Sequence, residues 1–345
     1  MDLQFTDEQR ALRTMVREFF AKEAPPDIVR AAEPLGFDAG LWRKAVELGL
    51  GVIAVPEQHG GGGAGRCELA IVAEALGYSL APVPLIEVAA ATNLLVRIAE
   101  VTGRDDISAL AARTVTGELL TTVALHPVHA GTARMVPAGA IADLVIAPCD
   151  DHLLLIGRGD EQPALPNLGC APLADRPIDA GDTITIACDS VLRKAYADAV
   201  SDWRLLTAAA LVGLCTRALE IGIDYVMQRP AFGVLIATFQ TIQHRLADHA
   251  TAADGARLLT YQAAWARDEE LATAAASARM AFAFTSEAAF RTAADSLHFH
   301  GGYGYTMEYD IQLYYRRAKA WPLPAGDPRR DYIAVAHELF DATTV

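Results

Sequence analysis

The sequence predicts a mainly α-helical protein with a small β domain in its middle, and three observations predict it. Up to about residue 118 the apolar residues recur at helical spacing. Between about 119 and 190 they fall into short apolar or alternating runs, at 120–125, 144–147, 152–156 and 183–187, parted by Gly, Pro and Asp. From Val191 to about Phe340 the helical spacing returns, in a stretch so rich in alanine that long packed helices are favoured. The expected domains are therefore 1–118 (helical), 119–190 (β, short) and 191–345 (a helical bundle), with no internal repeat or low-complexity linker.

Thr6 is an N-cap with Gln9 at the third helical position, and Asp7 and Glu8 suit the helix dipole. Leu12, Val16, Phe19 and Phe20 continue an apolar face. A second helix is expected over 37–50, with Trp42, Val46 and Leu50 on one side, and further helices over 67–76 and 85–101. The glycine run at 60–63 lacks both the Lys-Ser/Thr pair of a P-loop and the spacing of a dinucleotide fold, so it reads as a flexible turn. In the last third, Gln228, Arg229 and Pro230 break one helical run and Phe232-Gly233 turns the chain. Leu235, Phe239, Ile242 and Leu246 then step by three and four, as one face of a new helix.

With 345 residues, 52% of them apolar, the chain has material for two or three cores. A net charge of −14 argues against nucleic acid or an anionic membrane surface as partner. The five cysteines (Cys67, Cys149, Cys170, Cys188 and Cys215) form no CxxC pair, which suits a reducing compartment rather than a disulfide framework or zinc site. His126 and His129 are close in sequence, but no third ligand lies nearby, so no metal site is read there. The N-terminus lacks the basic and apolar regions of a signal peptide, and no run of about 18 apolar residues is found, so a cytoplasmic protein without membrane insertion is expected.

Arg229 offers a planar fork of donors suited to phosphate, close to a helix start, and Gln240 and Gln243 can reach a second polar group; solvated surface side chains are the alternative for all three. The order Arg-Pro-Ala-Phe-Gly (229–233), a gap, then Phe-Gln-x-x-Gln-x-x-Leu-Ala-Asp (239–248) resembles the flavin-contacting signature of acyl-CoA dehydrogenases. A second stretch, Leu297, His298, Phe299, His300, Gly301, Gly302, Tyr303, Gly304 and Tyr305, followed by Arg316, Arg317, Ala318 and Lys319, is similar to another part of that family. The resemblance covers about the first hundred residues and everything after Leu192. It implies that family's fold: a helical N-terminal domain, a middle β-barrel-like domain and a C-terminal four-helix bundle. It also implies an FAD cofactor and an acyl-CoA substrate, with Arg229, Phe232, Gln240, Gln243, His298, Gly301 and Gly302 on the flavin.

Two departures from the family pattern point one way. Where the resemblance places the flavin-ring loop, the chain reads Leu-His-Pro-Val-His-Ala-Gly-Thr (125–132), without the family's glutamate and Ser-Asp. The two positions where the family carries its catalytic glutamate hold Trp203, beside Arg204 as a weak substrate-site candidate, and Ala325, before Gly326. Asp202 and Asp327 are adjacent but shorter and displaced; they are weak surrogates, with Asp327 also suited to cap the following helix. The resemblance narrows to the base-less subunit of heteromeric actinobacterial acyl-CoA dehydrogenases of steroid side-chain breakdown. It implies an α2β2 complex with a catalytically competent acyl-CoA dehydrogenase subunit and FAD shared at the interface. The alternatives are an active homotetramer with a surrogate base, and a structural or regulatory homologue without flavin.

Overall fold

The computed structural model describes residues 4–33, 35–160 and 163–340, and is mainly helical with one small group of strands. The described chain gathers into two compact units. The first holds the chain up to Val29, Ala70–Ala81 and everything from Leu205; the second holds Arg30–Leu69 and Pro82–Arg204.

In the first unit, α1 (Asp7–Glu23) opens on the expected capping box, with Thr6 Oγ1 accepting from the Gln9 N–H and the Gln9 side chain accepting from the Thr6 N–H. Helix α4 (Arg66–Ser79) crosses the long helix α7 (Ser190–Val226) at glycine distance. A Cβ on Gly77 would lie 1.8 Å from the Ala210 carbonyl oxygen, and one on Gly213 would lie 1.9 Å from that of Glu74. Beside this crossing Glu74, 4% exposed, accepts from Arg257 at 3.1 Å and from the Tyr261 hydroxyl at 2.8 Å. Helices α8 (Gln240–Asp268) and α9 (Ala274–Phe299) run against each other, and α10 (Ile311–Ala320) and α11 (Arg329–Phe340) pack on α9. Leu211, Leu214, Ala218, Ala253, Ala289, Ala293, Ile311 and Tyr314 share one core.

The second unit contains the strands. β1 (Thr121–Val123), β3 (Leu144–Cys149), β4 (His152–Gly157) and β6 (Thr183–Ala187) form a sheet in the order β1-β3-β4-β6, with β1 and β3 parallel and the remaining pairs antiparallel. β2 (Thr132–Val136) and β5 (Ala174–Pro177) make a separate antiparallel pair that carries a register irregularity. Helices α3 (Ala39–Glu47), α5 (Leu85–Thr102) and α6 (Asp105–Val115) belong to this unit, as does the end of the short α2 (Pro26–Ala31), from Arg30 on. Val88 of α5 joins Val136, Val145 and Ile156 in its core. Arg176 of β5 is wholly buried, and its guanidinium donates to the carbonyls of Gly157, Gly139 and Ala142 at 2.8–2.9 Å. Burial, with the Arg158 charge nearby, pulls its pKa down to about 10. These bonds satisfy carbonyls at the end of β4 and in the turn between β2 and β3.

The structure corrects several sequence expectations. The helix expected to begin near Leu235 begins at Gln240. Leu235 belongs instead to a two-strand hairpin, β7 (Pro230–Ala231) with β8 (Val234–Leu235), followed by a 3₁₀ turn over Ile236–Thr238. The period of three and four misled because exposed apolar residues of the hairpin fall by chance into the phase of the helix that follows. Helices α2 and α6 and strands β2 and β5 were not anticipated, since each is too short or too polar to announce itself by periodicity. One helix, α7, does contain an 18-residue window long and apolar enough to cross a membrane, with mean hydropathy 1.5. Of that window 72% is buried inside the protein, as in the core helix of a bundle.

Gly213→Ala tests the α4–α7 crossing. The added methyl forces backbone against backbone, so the helices must separate, at a cost of about 1–3 kcal/mol or more. Urea unfolding should show the lowered midpoint, whereas an unchanged midpoint would mean that the crossing relaxes freely.

Candidate functional site

The residues from the two motifs meet at one end of the first unit. Helix α7 ends at Val226, and the chain turns through Arg229, whose N–H donates to the Tyr225 carbonyl at 3.0 Å. At the hairpin tip Phe232 (φ 54) and Gly233 (φ 82) both have left-handed backbone, the geometry of a type I′ turn. A phenylalanine rarely adopts that conformation, and such strain concentrates at functional sites. Phe232 is 96% exposed, and its ring meets that of Phe239 edge-on, centroid to centroid 6.3 Å. Arg229 is exposed, and its guanidinium has no hydrogen-bonding or ionic partner among the described residues. Gln240, the first residue of α8, is also exposed. Gln243 differs: its side-chain amide donates to the Ala237 carbonyl at 2.9 Å and so anchors the 3₁₀ turn below the hairpin.

Tyr225 joins this hairpin to the second motif. Its ring stacks on His300 at 3.9 Å, and Tyr309 meets both rings edge-on. His300 is 3% exposed, and its Nδ1–H donates to the Ser296 carbonyl at 2.7 Å, which fixes the tautomer. Burial pulls its pKa below the ordinary 6.5, opposed by the Ser296 bond. The stack therefore holds a neutral imidazole under the Gly301–Tyr305 turn. Gly301 has φ 62, and a Cβ on either Gly301 or Gly302 would meet nothing within 4 Å. The chain's own packing therefore does not demand glycine at 302, whereas close approach by another molecule would. His298 and Gly301 line one cleft of about 470 Å³ with Ala294, Leu297, Tyr305 and Tyr315. The arrangement suits an extended ligand with anionic and flat aromatic parts: an unpaired guanidinium, an exposed aromatic edge and bare glycine backbone on one end of the molecule.

The positions set against the family's base lie elsewhere. Ala325 ends a 3₁₀ turn, and Asp327 Oδ1 accepts from the Arg329 N–H at 3.1 Å, capping α11. In the second unit, Trp203 on α7 is 2% exposed and Arg204 beside it is half-buried. Asp202, 3% exposed, is clasped by Arg66, whose Nε and NH2 lie 3.3 and 3.2 Å from one carboxylate oxygen.

Sequence reasoning missed Glu87. It sits in the first turn of α5 among Leu85, Ile86 and Val88, all buried. Burial pushes its carboxyl up to about 7, opposed by its own backbone N–H. A lone carboxyl inside the run Leu-Ile-Glu-Val-Ala-Ala-Ala was the available signal. Tyr225 and His300 carry no comparable signal beyond lying within the motif stretches.

His300 gives the site a pH dependence of definite sign. Its folded pKa lies below the ordinary value, so its contribution is present above about 6.5 and is lost as the pH falls, because the unfolded chain takes up the proton first. Thermal unfolding between pH 7.5 and 5 should show a smaller loss of stability in His300→Gln than in the parent; parallel curves would mean that the buried imidazole is not coupled to folding.

Comparisons with known proteins show the family. The acyl-CoA dehydrogenase C-terminal domain profile matches residues 195–335, and the N-terminal domain profile matches residues 6–109. The acyl-CoA dehydrogenase IpdE2 of Mycolicibacterium smegmatis is 30% identical over 97% of this chain and 100% of its own length. Among solved structures, the ChsE4–ChsE5 complex from Mycobacterium tuberculosis contains a chain with a TM-score of 0.87 and 27% identity, covering 100% of both chains. A Tcur3481–Tcur3483 steroid ACAD variant follows with a TM-score of 0.85 and 26% identity, over 98% of this chain and 99% of that one. The chain belongs to the acyl-CoA dehydrogenase family, oxidoreductases that act on CH–CH groups.

Proposed function

We propose that this chain is the subunit of a heteromeric, FAD-dependent acyl-CoA dehydrogenase that does not take the substrate proton, and that it completes a partner's FAD site across the interface in an α2β2 complex. The observation that carries this reading is a division within the chain. The flavin-reaching half is intact and turned outward: Arg229 unpaired, Phe232 bare at a strained tip, and Gly301-Gly302 with open space before them. The proton-accepting half is gone, with Trp203 and Ala325 at the two base positions. Similarity to a chain of the ChsE4–ChsE5 complex and to a chain of the Tcur3481–Tcur3483 steroid ACAD supports a two-component assembly and a steroid side-chain CoA thioester as the acyl group.

The residues present fit one end of FAD. Arg229 supplies a fork of donors for a diphosphate, charge-assisted and free to turn toward it. Phe232 covers apolar surface at the hairpin tip, and Gln240 offers an amide beside the helix start. Gly301-Gly302, held in place by the His300–Tyr225 stack, lets a ligand come against bare backbone. Bound flavin supplies the hydride acceptor for dehydrogenation, and the partner's carboxylate supplies the base. The loop 125–132 of this chain turns tightly at Ala130 (φ 49) and Gly131 (φ 73), with His126 and His129 exposed. It lacks the glutamate and the Ser-Asp that the resemblance sets on the flavin ring, and Thr132 is its one hydroxyl.

The complex should therefore carry two FAD per four chains. Absorbance of released FAD against total protein checks this, and four per tetramer would mean that this chain builds a ring site of its own. Arg229→Ala in this chain should weaken FAD retention roughly tenfold or more, since one charge-assisted contact is worth about 1.5–3 kcal/mol. Full flavin content after prolonged dialysis of the mutant complex would remove the across-interface role.

A further inference from the structure

His249 of α8 is 8% exposed, and both of its ring nitrogens are engaged by α9. Nε2 lies 2.8 Å from Asp295 Oδ2, and since a carboxylate only accepts, Nε2–H is the donor. That leaves Nδ1 to accept from the Thr292 hydroxyl at 3.2 Å. Behind Thr292, the Cys215 thiol of α7 donates to the same hydroxyl oxygen at 3.4 Å. Burial pushes that thiol up to about 11, opposed by the Thr292 bond, so it keeps its proton and stays a donor. At the other end Arg245 NH1 donates to Asp295 Oδ1 at 2.8 Å. The groups run in one consistent order, thiol to hydroxyl, hydroxyl to imidazole, imidazole to carboxylate, with the guanidinium closing on that carboxylate.

This chain of bonds crosses the three helices that carry the cofactor-reaching end. Helix α7 leads into the Arg229 hairpin, α8 begins at Gln240, and α9 runs into Gly301-Gly302. At about 1.5 Å per residue, His249 lies roughly 14 Å along α8 from Gln240, and Asp295 lies roughly 6 Å before the end of α9. Ala294, next to Asp295, lines both the cleft of His298 and Gly301 and a second cleft of about 430 Å³ that holds Arg245 and His249. The Tyr225–His300 stack joins α7 to α9 at this end, whereas α8 is joined through His249. The bond of Arg257 to Thr216 lies roughly 12 Å further along α8. Nearby, Ala218, Ala253, Ala289 and Ala293 belong to one core. A methyl projects too little to lock one helix against the next, whereas a hydrogen bond weakens steeply outside a narrow range of distance and angle. A polar residue buried at such a contact fixes register. We propose that His249 and Asp295 are positioning residues, a polar pin that sets the register of α8 on α9 and so the placement of Gln240 and the Arg229 hairpin against Gly301-Gly302. The proposal deepens the reading of this end as a partner's FAD site, and rests on it.

The test pairs amide hydrogen exchange on the full chain alone with FAD affinity of the complex. His249→Leu should speed exchange in segments 236–243 and 300–305 roughly tenfold, the worth of one charge-assisted hydrogen bond, and leave 256–264 and 281–289 at parent rates. The same variant should raise the Kd for FAD in the complex roughly tenfold. His249→Gln, whose amide keeps a donor for Asp295, should recover both readouts. Should His249→Leu fail to fold, Thr292→Val provides the second arm: it keeps the shape, removes the hydroxyl between Cys215 and His249, and should move both readouts in the same direction. Parent exchange and parent affinity overturn the pin. Exchange that quickens evenly over α8 and α9 also overturns it, because His249 would then serve only overall stability. The exchange readout needs no flavin, and Arg229→Ala serves as its companion in the affinity readout. If Arg229→Ala weakens FAD and His249→Leu does not, the pin fails while the cofactor reading stands. If neither weakens FAD although exchange quickens locally, the cofactor reading fails and the positioning role falls with it.

Discussion

The first unit depends on one close crossing. Where α4 meets α7, Gly77 faces the Ala210 carbonyl and Gly213 faces that of Glu74, so the two backbones approach to a distance that no side chain allows. That approach brings the Glu74 carboxylate inside the bundle, where an isolated charge would cost several kcal/mol. The Arg257 guanidinium and the Tyr261 hydroxyl of α8 answer it, and Arg17 of α1 lies 3.7 Å away. Burial and the Glu74 charge together raise the Tyr261 pKa far above its usual value, so the phenol stays a donor. Three helices are thus tied to a single carboxylate, and the tie exists only because two glycines let it in.

The functional end of that unit is built on a different principle. Inside the bundle the Glu74 carboxylate is answered by Arg257 and Tyr261, whereas at the hairpin Arg229 has no partner among the described residues and Phe232 is almost fully bare. A strained, exposed aromatic beside an unpaired guanidinium gains nothing within this chain. The buried His300–Tyr225 stack beneath it is rigid and neutral, which makes the turn over Gly301–Tyr305 a fixed surface rather than a mobile loop. Preorganisation of that kind lowers the cost of binding an extended cofactor. In the second unit, by contrast, Trp203 and Asp202 are buried, and Asp202 is held by Arg66.

What the sequence determined by itself is the order of α, β and α regions, the N-terminal capping box, the two motif stretches and the absence of a glutamate at Trp203 and Ala325. These are local: periodicity, turn residues and identity at a spacing are all carried by neighbouring positions, and a motif is legible because its residues are contiguous. Tertiary structure decided what contiguity does not encode. Arg66 and Asp202 are 136 residues apart, Glu74 and Tyr261 are 187 apart, and Arg176 serves two distant segments at once, so their pairing follows from how helices and strands pack. Leu235 and Phe239 looked like a buried helical face because the sequence records hydrophobicity but not whether anything covers it; in the folded chain they are exposed. Glu87 is the sharpest case. Its proton affinity is raised by burial, which does not exist until the chain has folded.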